Sequence, residues 1–115
     1  MKRYHIILDA SEVDAKYLDD GKYIESLLRE VCELIKMKIL HGPVIIKGVE
    51  ANPGLTGFCI IDFSHISVHT FTKTNNICVD IFFCKPFDSV AVRDYLSEKL
   101  QISSGKFVFH EVKYE

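Results

Sequence analysis

Three strand-like runs crowd the middle of this chain: "GFCIIDF" at 57–63, "HISVHTF" at 65–71 and "ICVDIFFC" at 77–84. A parallel crossover needs about a dozen residues or more, and "TKTNN" at 72–76 is only of hairpin size. The runs are therefore expected to be antiparallel. In "ICVDIFFC" both alternating sets are apolar, Ile77, Val79, Ile81 and Phe83 against Cys78, Phe82 and Cys84. Both faces of that strand need cover. Helices can supply one cover, and a second copy packed sheet to sheet is expected to supply the other.

The flanking segments fit the same plan. "YHIILD", Tyr4 to Asp9, reads as a first strand, followed by the polar turn "ASEVD". From Lys22 to Lys38, apolar residues recur at Ile24, Leu27, Leu28, Val31, Leu34, Ile35 and Met37, which is helical spacing. "HGP" at 41–43 is expected to stop that helix, "VIIKGV" to form a strand, and "EANPG" at 50–54 to form a loop. Asp88 is placed to cap a second helix whose buried stripe is Val90, Ala91, Tyr95, Leu96 and Leu100. "SSGKFVFHEV" at 103–112 reads as a closing strand. The order predicts an α+β fold: a two-layer sandwich of one antiparallel β-sheet with two helices on one face, dimerising to a four-layer αββα arrangement. At 115 residues it is expected to be a single domain, 1–115.

Charge and composition exclude several functions. Fourteen basic and sixteen acidic residues are mixed along the chain and leave a net charge of -2, so no basic stripe invites nucleic acid. No apolar run approaches the roughly 20 residues that cross a bilayer. Met1 leads straight into the first strand-like run without a signal-peptide pattern, and the expected location is cytoplasmic, away from membranes. Cys32, Cys59, Cys78 and Cys84 lack C-x-x-C spacing and read as reduced thiols. His65 and His69 have no third ligand at metal spacing, so no metal is expected. His5, His41 and His110 are expected to be structural or exposed. Asp80, central in an apolar run, needs hydrogen bonds if buried and is placed to orient a backbone or the histidine pair. A serine hydrolase is disfavoured, because no G-x-S-x-G elbow is present.

Three motifs, "G-x-T-G" at 54–57, "SH-x-S-x-HT" at 64–70 and "D-x-F-x-C" at 80–84, stand in an order and spacing that resembles the prokaryotic S-adenosylmethionine decarboxylases. The resemblance spans nearly the whole chain and implies a pyruvoyl group derived from Ser64, with self-cleavage between Phe63 and Ser64. Residues 1–63 would become the β chain and 64–115 the α chain. Ser64 would attack the preceding carbonyl, turning the amide into an ester. Loss of the acyl group leaves dehydroalanine, which hydrolyses to the ketone. His69 matches the histidine that helps remove the serine α-proton, a general-base task suited to imidazole. Thr56 matches a processing hydroxyl, and Cys84 the thiol that returns a proton to the substrate's α-carbon. The ketone would condense with the substrate's amine and act as an electron sink. Cys32 and Cys59 look structural.

Strict alternation sets Ser64 on the face of Ile66 and Val68, opposite His65, Ser67 and His69. The strand is therefore expected to begin after Ser64, with a bend at the cleavage point. Several positions depart from the family pattern. Phe63 replaces a glutamate before the reactive serine. Lys73 stands where a carboxylate would accept ribose hydroxyls, and a cation accepts none. Glu50 stands nearest to where an adenine-stacking aromatic is usual, while Phe71 keeps one stacking ring. His65 and Ser67 complete the candidate substrate-binding set. The resemblance implies a small-molecule substrate, S-adenosylmethionine, decarboxylated for spermidine synthesis by a homodimer. The departures leave two alternatives open, a pyruvoyl-dependent decarboxylase of arginine or ornithine and an unprocessed non-catalytic paralogue.

Overall fold

The computed structural model describes residues 1–103 and 106–115. Six strands form one antiparallel sheet in the order β2-β3-β4-β5-β1-β6, where β1 is Arg3–Ala10, β2 Ile39–Val49, β3 Asn52–Ile61, β4 Ser64–Phe71, β5 Asn76–Phe83 and β6 Phe107–Tyr114. The helices are α1 (Ala15–Leu18), α2 (Gly21–Leu34) and α3 (Ser89–Lys99). The three central runs are antiparallel neighbours, as their short links require.

One face of the sheet and the inner sides of the helices make the core. Ile6, Leu8 and Ala10 of β1, Ile66 and Val68 of β4, and Ile77, Val79, Ile81 and Phe83 of β5 are all buried there. They meet Ile24, Leu27, Leu28, Val31 and Cys32 of α2 and Val92 and Leu96 of α3. Leu34 and Val90 are exposed, so Val92 and not Val90 carries the inward stripe of α3. Asp20 and Asp88 cap α2 and α3 by accepting the amides of Tyr23 and Ala91. Asp14, the last residue of the expected turn, caps α1, a single helical turn for which no element was expected, by accepting the Lys16 amide.

Several expected boundaries move, each for a local reason. The first long helix stops at Leu34, short of Lys38, because Lys36 adopts φ 59 and a Schellman motif closes the end. Lys36 N–H reaches the Glu33 carbonyl and Met37 N–H the Cys32 carbonyl. The end of α3 repeats the device, with Gln101 at φ 51, its N–H on Glu98, and Ile102 N–H on Ser97. "HGP" lies inside β2, not at a helix stop. It forms an irregularity in the edge strand, with Gly42 at φ 102 and the register shifting on both sides of His41. "EANPG" is mostly strand, since only Glu50 and Ala51 lie between β2 and β3. The closing strand begins at Phe107, and residues 104 and 105 of the run proposed for it lie outside the described residues.

β3 and β4 approach so closely that Gly54 is obligatory, because a Cβ there would sit 1.9 Å from the Thr70 carbonyl oxygen. Gly54→Ala is expected to cost at least about 1–3 kcal/mol, and Leu28→Ala, which empties a core position, about 2–5 kcal/mol. Urea unfolding followed by circular dichroism measures both; a midpoint unchanged in either variant contradicts this packing.

Candidate active site

Candidate residues gather at opposite ends of β4. At one end a two-residue turn, Asp62 and Phe63, joins β3 to β4. Phe63 is 75% exposed and held at φ 51, a conformation that a bulky L-residue adopts only under constraint. The bend expected at the cleavage point is thus at Phe63. The strand nevertheless begins at Ser64 and not after it, because Ser64 pairs with Ile61 across the turn. Ser64 is 7% exposed and shares the helix-side face with Ile66 and Val68. Its Oγ accepts the Cys84 amide at 3.2 Å, and the Cys84 thiol donates to the Phe63 carbonyl oxygen at 3.1 Å. One residue thereby holds both the hydroxyl and the carbonyl of the same peptide link.

At the other end, Thr56 and His69 face each other across the β3–β4 ladder, with the hydroxyl 3.0 Å from Nδ1. Phe71 lies on the same face as His69 and is exposed. The turns carrying Glu50 and Lys73, between β2 and β3 and between β4 and β5, close this same end of the sheet. At about 3.3 Å per residue the five steps from Ser64 to His69 span about 17 Å. The side chains also point to opposite faces. The structure therefore gathers Phe63, Ser64 and Cys84 in one group, and Thr56, His69, Phe71, Glu50 and Lys73 in another.

Between them, on the face opposite the helices, Asp80 lies beside Ser67 on the ladder. His5 Nε2 is 3.0 Å from both Asp80 carboxylate oxygens, and His65 Nε2 is 3.5 Å from Oδ1. The His65 ring is stacked between Phe58 and Phe82, at centroid distances of 5.5 and 5.8 Å. Asp80 was expected to orient a backbone or the pair His65 and His69; it meets His65, while His69 is with Thr56, and its nearer partner, His5, was missed. The signal was available, since burial of Ile6, Leu8 and Ala10 turns His5 to the face of Asp80. Among the described residues no group of three His, Cys, Asp or Glu side chains is arranged to hold a metal ion. Burial pushes the Cys78 thiol up, with help from Asp9 and Asp80. Cys32 is pushed up by its contact with Cys59 and then by burial, as suits core thiols. A cavity of about 350 Å³ between α2 and α3 is lined by Glu30, Tyr95, Glu98, Lys99 and Gln101, none of them a candidate residue.

An α+β sandwich with a serine hydroxyl and a thiol converging on the peptide bond of a strained hairpin defines a narrow class of protein. A profile of the S-adenosylmethionine decarboxylase family matches residues 4–113, and the chain belongs to that family. It is 33% identical over 99 residues to an S-adenosylmethionine decarboxylase proenzyme of Clostridium botulinum strain Langeland, covering 84% of this chain and 82% of the relative. Identity to the proenzyme of that name from Saccharolobus islandicus strain L.S.2.15 is 31% over 101 residues, covering 87% and 78%. The crystal structure of the adenosylmethionine decarboxylase of Aquifex aeolicus VF5 has the same fold, with TM-score 0.75, 22% identity and coverage of 98% of this chain and 88% of that one. Among the described residues no helix is long and apolar enough to cross a membrane.

Thr70 secures the His69 end from beneath. Its buried hydroxyl accepts the Leu55 amide at 2.7 Å and donates to the Leu18 carbonyl at 2.9 Å. Thr70→Val leaves both partners buried without a bond and is expected to cost about 1–3 kcal/mol for each. A thermal melt checks this, and an unaltered transition would show that the hydroxyl is dispensable.

Proposed function

We propose that this chain is a self-processing, pyruvoyl-dependent decarboxylase of S-adenosylmethionine, cut between Phe63 and Ser64 into a 1–63 β chain and a 64–115 α chain. The observation that carries this reading is the double hold of Cys84 on the Ser64 hydroxyl and the Phe63 carbonyl. The Cys84 amide fixes the Ser64 rotamer, and the thiol polarises the carbonyl that Oγ attacks. The left-handed Phe63 raises the ground state of the link to be broken. Attack transfers the acyl group from nitrogen to oxygen. Removal of the Ser64 α-proton then expels the residue 63 carboxylate, and water releases ammonia to leave the ketone. A serine already placed at the start of β4 fits this origin for the group. Once formed, a pyruvoyl group supplies a ketone that withdraws electrons from a bound amine. Cys84 stays beside it as the proton donor.

The base for this sequence comes from a second copy. His69 and Thr56 cannot reach Ser64 of their own chain, being about 17 Å away along β4 and on the other face. Two open faces laid together have their two-fold axis in the plane between the sheets. Only an axis running across the strands exchanges the two ends, bringing the His69 group of one copy over the Ser64 group of the other. The face offers the apolar surface such pairing needs, with Phe58, Ile60, Val108 and Val112 exposed. Phe71, Glu50 and Lys73 travel with His69, and so line the side of the site that meets the substrate's distal part. His65 and Ser67 line its floor. A second reading, decarboxylation of arginine or ornithine, is favoured only by the exposed Glu50 carboxylate at that end.

Ser64→Ala and His69→Ala are each expected to remain as a single uncut polypeptide on intact mass. Co-expressed, they restore one of the two sites per dimer, and the His69→Ala chain is cut. Full cutting of His69→Ala by itself, or no rescue in the mixture, contradicts the shared site. The processed enzyme is expected to release carbon dioxide from S-adenosylmethionine; release from arginine or ornithine instead selects the second reading.

A further inference from the structure

The axis that serves the two catalytic groups has a consequence for the middle of the sheet. Midway between Ser64 and His69 lies the ladder row Phe58, Ser67, Asp80, Ile7 and His110. An axis across the strands lays this row over its own copy, so the Asp80 carboxylates of two copies face each other. Among the described residues, the basic side chains within 4 Å of each are His5 and His65, which carry a charge only when protonated. Two carboxylates brought together out of water repel, and each needs a positive charge beside it to stay ionised. We propose that the His5–Asp80–His65 cluster makes pairing of two copies proton-linked: the dimer takes up protons on these imidazoles as it forms, and loosens as pH rises. The inference rests on the sheet-to-sheet reading above.

The surroundings do not supply the charge otherwise. The other titratable or charged groups on this face are Arg3 and Asp9 of β1, His41 of β2, His69 of β4, Cys78 of β5, and His110 and Tyr114 of β6. Cys84 follows at the end of β5. Arg3 is engaged at the far corner, over the Tyr114 ring and on the Glu115 backbone carbonyl oxygen. His41 and His110 stand on β2 and β6, the two edge strands. His69 is engaged with Thr56. Phe58 and Phe82 stack on either side of His65, whose Nε2 is 3.5 Å from the Asp80 carboxylate. The sign follows from linkage. An imidazole whose charged form is favoured in the paired state adds affinity below its free titration range, and that affinity is lost as pH rises through the paired one.

Sedimentation equilibrium of the full chain at about pH 6 and about pH 8.5, a span that brackets free imidazole, tests this. The dimer dissociation constant is expected to weaken at least about tenfold at the higher pH. Asp80→Asn, which keeps the shape, is expected to flatten the dependence, and His41→Gln, off that row on the far edge strand, to leave it intact. His65→Gln is the second variant should Asp80→Asn fail to fold, and is expected to reduce the slope. A dimer whose affinity ignores pH, or an Asp80→Asn variant with the wild-type slope, overturns the proton linkage and leaves the pairing standing. A monomer at every pH overturns the pairing itself, and this inference with it.

Discussion

A strand turns its side chains over at every residue, and β4 obeys that rule from Ser64 to Phe71. Ile66, Val68 and Thr70 must enter the core for the sheet to hold its helices. His65, Ser67 and His69 are then committed to the open face, and Ser64 to the core side. No rotamer change reverses this, because shifting the register by one residue would empty the core. The separation of the serine group from the histidine group is therefore a product of folding energetics. A chain that needs both groups at one peptide bond has to bring the second from outside itself.

Local geometry then makes each half usable. Cys84 follows the last residue of β5, where its amide is no longer needed by the β4 ladder and is free for Ser64. The adjacent turn has only two residues, and the left-handed conformation falls on Phe63, a side chain that gains nothing from it. Backbone strain of this kind persists only where surrounding structure imposes it. Here the flanking ladders of β3 and β4 do so, anchored by buried Ile61 and Ile66. At the other end, Thr70 ties β4 to β3 and to α1 by one buried hydroxyl, which keeps the Thr56 and His69 pair in register.

Much of this was legible in the residues. The antiparallel order, most of the α2 face and the Asp88 cap followed from period and turn chemistry, while on α3 the stripe was placed on Val90 instead of Val92. Helix ends were less legible, because both Schellman motifs use Lys36 and Gln101 where glycine is the usual signal. "HGP" misled for the opposite reason: its glycine and proline are punctuation for an irregular edge strand, where a missing amide costs little. The sequence offered a set of candidate residues but not their arrangement. Alternation alone showed that Ser64 and His69 conflict, and a bend was expected to resolve it. The bend exists, yet it resets the backbone at Phe63 and leaves the conflict in place.

The open face combines an apolar rim with a charged centre, which a surface built only for adhesion would avoid. Phe58 and Phe82 stack on either side of the His65 ring, so the apolar surface and the charged cluster are one construction. A purely apolar face could pair in several registers at similar energy, as flat hydrophobic surfaces do. On the proposed pairing, only one of those superimposes the Ser64 group of one copy on the His69 group of the other. A carboxylate bracketed by two imidazoles penalises every register that strands it against apolar neighbours, since an unpaired buried charge costs far more than a misplaced methyl group. On the proposed pairing, the cost of burying that cluster would distinguish the register that aligns Ser64 with His69 from the others, so alignment and proton linkage would rest on the same carboxylate.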